Sequence, residues 1–189
     1  GRVRCPILFL NGTSDFAYPL DSYRKTIEQV KPELATVAIH HKLPHGHIWT
    51  YEIVDAFIDS VVRDGEKLAR VGELRVAGNE AYAPLLSDTP VASAELWYTS
   101  GDGRWQAREW KSLAAQVADG MIRAQLPPDR PIAFFLQAVD GRGLRTSTSH
   151  ADLQLPGGAT NPAVVPAPKL EQDFYDWYRR HAEVLRLKD

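Results

Sequence analysis

The sequence lacks the features that mark several large classes of protein. Its 189 residues include one cysteine, Cys5, so an internal disulfide cannot form. The formal net charge is -2, without the basic excess that nucleic-acid-binding domains carry. No apolar run approaches the ~20 residues that a membrane-spanning helix needs. We therefore expect a globular chain with no nucleic-acid partner and no membrane span.

A starting methionine and a signal peptide are also missing, because the chain begins Gly-Arg-Val-Arg. Either processing removed the true start, or the sequence is an excerpt of a longer protein. We expect the excerpt, for reasons that come from the motifs described below.

Strand and helix patterns alternate in the first third of the chain. Buried strands are predicted at 5–10 and 35–39, and amphipathic helices at 20–30 and 48–62. Asp21 or Ser22 is placed to cap the first helix. Because strand, helix, strand and helix follow one another, residues 1–66 are predicted to have an α/β fold.

Two polar loops follow the two predicted strands. Asp15 comes after the first strand, and the segment Leu-Pro-His-Gly-His, with His45 and His47, comes after the second. Catalytic groups of open α/β sheets collect at the carboxyl ends of the strands, so these loops should be neighbours. A carboxylate there can accept the Nδ1 hydrogen of an imidazole and stabilise the imidazolium formed during catalysis.

These segments resemble the end of an α/β-hydrolase catalytic domain. Residues 6–19 resemble the penultimate strand and acid loop of esterases with that fold, and the His-Gly-His loop with the helix at 51–62 resembles its end. The nearest kinds are acetyl xylan esterases, dienelactone hydrolases and prolyl-oligopeptidase-like enzymes. The resemblance implies that Asp15 is the triad acid, that His47 is the base and His45 the second choice, and that neither metal nor cofactor is required. It also implies a small-molecule or carbohydrate ester as substrate.

The nucleophile of that family is missing from the chain. The triad order is Ser, then Asp or Glu, then His, but no Gly-x-Ser-x-Gly motif precedes Asp15. We therefore expect a partner, the rest of the hydrolase domain, on the N-terminal side of this chain. The parent protein would be a serine esterase, and the 189 residues alone would be inactive.

Other interpretations of the same residues remain open. Asp15 alone could be a turn residue, with the histidine loop a solvated turn. A zinc site among His40, His41, His45 and His47 is a further alternative. His45 and His47 could both bind the ion, but His40 and His41 would point to opposite faces of a strand, so no third ligand of matching geometry can be named.

Residues 67–155 show short strands between turn signals, which predict an all-β fibronectin-III-like sandwich. Four aromatic residues, Trp97, Tyr98, Trp105 and Trp110, could form a carbohydrate-stacking surface, but we assign them to the core. This region resembles a small accessory module attached to secreted bacterial hydrolases. That resemblance implies a structural or substrate-positioning role, and a secreted or periplasmic location.

The C-terminal segment contains a Pro/Gly linker at 156–169 and a predicted amphipathic helix at 170–189. Residues 176–185 are similar to the helix that precedes the nucleophile strand of GDSL-type esterases, although a helix docked on the sandwich is an equal alternative. The second hypothesis for the whole chain is a non-catalytic, glycan- or protein-binding spacer segment of a multidomain secreted protein.

Overall fold

A computed structural model of the chain describes residues 3–46, 51–128 and 133–153. The elements in chain order are β1 (Ile7–Ser14), α1 (Leu20–Ile27), β2 (Ala35–Pro44), α2 (Glu52–Val62), β3 (Arg70–Val71), β4 (Arg75–Ala77), β5 (Glu80–Leu86), β6 (Val91–Thr99), β7 (Lys111–Ala118), β8 (Met121–Gln125), β9 (Ala133–Asp140), β10 (Arg145–Ser147) and β11 (Ala151–Asp152). Two short 3-10 turns add to these, at Pro32–Leu34 and Trp105–Ala107.

The first two strands pair in parallel, and helix α1 connects them. Leu10 of β1 lies opposite Ala38 of β2, and both are buried in one apolar cluster with Ile53 of α2. The predicted order of strand, helix, strand and helix is confirmed, but β1 and β2 extend to Ser14 and Pro44, beyond the predicted strands at 5–10 and 35–39. The predicted side-chain cap of α1 is wrong, because Pro19 occupies the N-cap position without a side-chain hydrogen bond and Asp21 binds elsewhere.

The remaining strands form a nine-stranded antiparallel sheet in the order β10-β9-β6-β7-β8-β5-β3, with β11 beside β9 and β4 beside β5. The end strands β3 and β10 lie close to each other, so the sheet is nearly closed. Its core comes from alternating side chains, such as Leu96 of β6 opposite Leu136 of β9.

Two polar side chains of the antiparallel sheet form hydrogen bonds with the backbone of β2. Gln137 of β9 donates from Nε2 to the carbonyl of Ile39 over 2.7 Å, and Ser147 Oγ of β10 accepts from the Ile39 amide over 3.0 Å. An apolar cluster that includes Leu20 of α1 and Phe135 of β9 spans the same junction. Residues 1–153 therefore form one compact unit.

The predicted fold class is wrong. An α/β-hydrolase fragment followed by a separate fibronectin-III-like sandwich was expected, but the described residues are mostly β and build one nearly closed antiparallel sheet. The parallel pair packs on that sheet as part of the same unit, because Ile39 is bonded by side chains that come about a hundred residues later. The predicted boundary after residue 66 stays a prediction. The linker at 156–169 and the helix at 170–189 lie outside the described residues.

Among the described residues, no helix is long and apolar enough to cross a membrane. This finding concerns helices α1 and α2, which have 8 and 11 residues.

The junction can be tested at Gln137, which is 2% exposed. Replacing Gln137 by leucine should lower the free energy of unfolding by about 1–3 kcal/mol, because the Ile39 carbonyl would stay buried without a donor. Denaturant unfolding would measure the change. Gln116→Leu on the exposed face of β7 is the matched control, and an equal loss in both variants would contradict the role of Gln137.

Candidate functional site

Asp15 lies directly after β1 and is 8% exposed. Its Oδ1 accepts hydrogen bonds from the backbone amides of Ala17 and Tyr18, each 2.8 Å long. The carboxylate is therefore fixed by the turn that follows the strand, as aspartate side chains commonly are.

His45 follows β2 by one residue and reaches the same carboxylate. Its Nδ1 lies 3.2 Å from Asp15 Oδ1 and 3.3 Å from Oδ2. The rings of Phe16 and Tyr18 flank the imidazole, each with 5.4 Å between ring centroids. Because an ionised carboxylate can only accept, Nδ1 must be the donor, and in the neutral imidazole Nε2 then keeps its lone pair.

A buried asparagine, Asn11, holds the turn that follows Asp15 against the end of β1. Asn11 is 3% exposed, donates from Nδ2 to the carbonyl of Tyr18 over 3.0 Å, and accepts from the Gly12 amide over 2.7 Å.

Tyr23 of α1 donates its hydroxyl to the carbonyl of Leu10 over 3.0 Å. Burial, followed by the nearby Asp15 carboxylate and Tyr18, raises the pKa of Tyr23, so its hydroxyl stays a donor at neutral pH.

The ends of β1 and β2 are held together at short range. The Lys42 amide donates to Thr13 Oγ1 over 2.9 Å, and Lys42 adopts a left-handed conformation with φ of 59°. A Cβ added at Gly12 would lie 1.8 Å from the carbonyl oxygen of Leu43, so only glycine permits this approach. At Lys42 the chain of β2 changes direction, and His45 then lies beside the Asp15 carboxylate.

Of the predicted site residues, the structure therefore brings together Asp15 and His45. His47, our first choice for the base, lies outside the described residues, and its role stays a prediction. The described histidines of the zinc alternative have separate surroundings. His40 lies against Tyr51, and His41 lies against Trp97.

A second polar cluster, which sequence analysis missed, joins α1 to the region of β11. His150 is 3% exposed, and its Nε2 lies 3.1 Å from Asp21 Oδ1. Trp105 donates from Nε1 to Asp21 Oδ2 over 2.9 Å, and Arg24 donates to Asp152 Oδ2 over 2.8 Å. Nothing in the sequence pattern indicates these contacts, because Asp21 and His150 are 129 residues apart.

This cluster also holds the one group of three potential metal ligands that the described residues contain. The ligand atoms of Asp21, His150 and Asp152 lie within 4.8 Å of one another. Arg24 contacts both carboxylates, at 3.4 Å from Asp21 and 2.8 Å from Asp152. Since its guanidinium already supplies the positive charge, we interpret the cluster as an ion-pair network that attaches α1 to the sheet.

The network should make stability depend on pH. Burial alone would raise the pKa of Asp21, but hydrogen bonds from His150 and Trp105 and the charges of His150 and Arg24 outweigh it and lower that pKa to about 2. A lowered folded-state pKa means that this stabilisation is present above the ordinary value of 3.8 and is lost as pH falls through about 2. The stabilisation that corresponds to this lowered pKa of Asp21 is about 2 kcal/mol.

Urea unfolding of wild type and Asp21→Asn at several pH values would measure this contribution. We expect the difference in stability between them to shrink as pH falls from 4 to 2. The control is Asp55→Asn, at an exposed position of α2, whose difference from wild type should stay small throughout. A constant difference for Asp21→Asn would contradict the assignment.

The aromatic residues of the sheet region are mainly core. Tyr98 is 7% exposed, and Trp105 and Trp110 are 8% exposed each, which confirms the core prediction for these three. Trp97 is half-buried, and donates from Nε1 to Glu95 over 3.1 Å. The four residues therefore present no shared flat surface for stacking a sugar.

Comparisons with known proteins add little to this description. No family model matches the chain, and a search of curated proteins found no match. Among solved structures, the chain is similar to one titled "Crystal structure of Br derivative BhCBM56", with 10% identity and a TM-score of 0.29. The match covers 46% of this chain and 91% of that one, and a likeness at this level carries no argument about function.

Proposed function

We propose that Asp15 and His45 are the acid and the base of a serine hydrolase whose nucleophile lies outside these 189 residues. The observation that carries the proposal is the position of His45 Nδ1, within 3.3 Å of both carboxylate oxygens of Asp15. This geometry supports His45 as the base, while His47, the first choice from the sequence, lies outside the described residues and stays the alternative.

A simple turn would explain only part of this arrangement. The two amide hydrogen bonds account for Asp15 Oδ1, but they do not require an imidazole beside the carboxylate. The His45 side chain is 33% exposed and that of Asp15 is 11% exposed. An acid that is shielded and a base that a reactant can reach are what a charge-stabilised proton transfer needs.

The pair would perform two proton transfers in each of the two stages of ester hydrolysis. His45 Nε2 takes the proton of the serine hydroxyl as the serine oxygen bonds to the ester carbonyl carbon. The carbon–oxygen bond to the alcohol then breaks, and the same proton passes from Nε2 to the leaving alcohol. Water repeats the sequence on the acyl-serine and releases the acid, while Asp15 stabilises the imidazolium in both steps.

The substrate we propose is an ester, with an acylated carbohydrate as the favoured kind. Phe16 is 66% exposed and Tyr18 is 42% exposed, and both lie beside the imidazole. Exposed rings next to a base offer an apolar surface for an acyl group or for the face of a sugar ring. Export from the cell and the upstream hydrolase segment belong to the same proposal.

The test is to express the chain together with the polypeptide that precedes it, and also alone. A fluorophosphonate should label one serine upstream of Gly1, and the longer protein should hydrolyse p-nitrophenyl acetate. The 189-residue chain alone should do neither. Labelling of a serine within this chain, or equal turnover by the chain alone, would overturn the proposal.

A further inference from the structure

A cavity of about 360 Å³ lies where β2, the start of α2 and the turn before β10 meet. Small-molecule sites begin at about this size. Its lining combines the polar side chains of His40, Glu52 and Arg145 with apolar surface from Tyr51 and Leu144. None of these side chains takes part in the Asp15–His45 pair.

His40, which lines this cavity, is a neutral side chain. Its Nε2 is buried and has no hydrogen-bond partner within the part of the chain that the structure describes. Burial and then the charge of Arg145 lower the pKa of His40 to about 4, so the imidazole is neutral at pH 7. The neutral ring therefore adds no charge to the cavity, and the ligand does not have to balance one.

The lining of the cavity carries charges of both signs. Glu52 carries a negative charge and Arg145 a positive one. Arg145 already donates to Gln137 Oε1 over 3.0 Å and lies 3.4 Å from Glu95. An anion would meet Glu52 and compete with Glu95 for the guanidinium, while a cation would meet Arg145. A neutral ligand with several hydroxyls can instead donate to the carboxylate and accept from the guanidinium at once.

From these three observations, we propose that the cavity binds a neutral polyhydroxylated ligand of monosaccharide size. Ligand hydroxyls bond Glu52 and Arg145, and the apolar face of the sugar ring lies against Tyr51 and Leu144, beside the His40 ring. The ring of Tyr51 is already oriented by its edge contact with His40, at 5.6 Å between centroids. This binding does not depend on hydrolysis by the Asp15–His45 pair.

The test is an NMR titration of the 189-residue chain with methyl β-D-xylopyranoside and, separately, D-glucose. The imidazole ¹⁵N signals of His40 should shift in a saturable way, with a Kd on the order of millimolar. His41 is the internal control, because it neighbours His40 in β2 but lies against Trp97. Its signals should move little.

Arg145→Met and Glu52→Ala should each weaken sugar binding about tenfold or more, since each removes a charged hydrogen-bonding group. Arg123→Met is the matched control, because Arg123 pairs with Glu80 elsewhere on the sheet and should leave binding unchanged. Glu52 is exposed, so its variant remains a valid test if Arg145→Met fails to fold.

Three results would overturn the proposal. The first is no saturable His40 shift with either sugar up to about 100 mM. The second is tighter binding of sodium acetate or phosphate than of the sugars, which would make the cavity an anion site. The third is an equal loss of binding in Arg123→Met and in both cavity variants. Failure of ester hydrolysis would leave this binding unaffected, so the two proposals can be distinguished.

Discussion

Replacing Asp15 by asparagine should lower kcat for p-nitrophenyl acetate hydrolysis by the longer protein about 10³–10⁴-fold. The two backbone amides at Oδ1 will hold the oxygen of the new amide group in place. The NH2 group then replaces Oδ2, the oxygen that forms the hydrogen bond with His45 Nδ1, and Nδ1 has to become the acceptor to keep that bond. The proton of the imidazole moves to Nε2, and a protonated Nε2 cannot take the proton of a serine.

The asparagine variant should keep its fold, because it keeps both amide hydrogen bonds. Its unfolding temperature and the ¹⁵N shifts of His45 separate the two effects, since only a change of tautomer moves the imidazole signals. Asp55→Asn is the matched control for charge, and it should retain wild-type turnover. Near-wild-type kcat in a folded Asp15→Asn protein would contradict the role of the acid.

Histidine variants assign the base in the same assay. His45→Ala should lose as much activity as Asp15→Asn, and the double variant should be no worse than either, because the pair acts as a unit. His47→Ala should stay within a few-fold of wild type. Loss of activity in His47→Ala alone would return the base to the first choice made from the sequence.

Sequence reasoning located the candidate site because the physical rule behind it is local. Two buried strands joined by one helix run in parallel, so the loops after them meet at one edge. The structure brings Asp15 and His45 together there. The sequence placed His47 before His45, and it could not anticipate the contact of His45, because β2 turns at Lys42, whose left-handed φ no spacing rule predicts.

The fold class could not be predicted by the same means. Periodicity indicates which face of a strand is apolar, but it does not show what covers that strand. The partners of Ile39 are Gln137 and Ser147, 98 and 108 residues later, and both are polar side chains within strands. In the pattern they are ordinary sheet residues. In the structure they join the parallel pair to the sheet.

Gly12→Ala should be the most destabilising small substitution near the site. The new Cβ would lie 1.8 Å from the carbonyl oxygen of Leu43 and 2.6 Å from its Cβ. Backbone atoms of a paired strand cannot rotate away as a flexible side chain can, so β1 and β2 must separate at this point. We expect a loss of about 3 kcal/mol or more in the free energy of unfolding. For a chain of this length, this corresponds to a fall of about 6–12 °C in Tm.

Gly46→Ala is the matched control, because a Cβ at Gly46 would meet no atom of the described residues within 4 Å. Its stability should stay within about 0.5 kcal/mol of wild type. Equal losses in the two alanine variants would show that the strand ends do not approach as closely as described. Gly12→Ala should also separate Thr13 from the Lys42 amide, and that contact holds the loop of His45 against Asp15. The His45 imidazole signals should therefore change in Gly12→Ala at temperatures where the rest of the sheet is still folded, and they should be unchanged in Gly46→Ala.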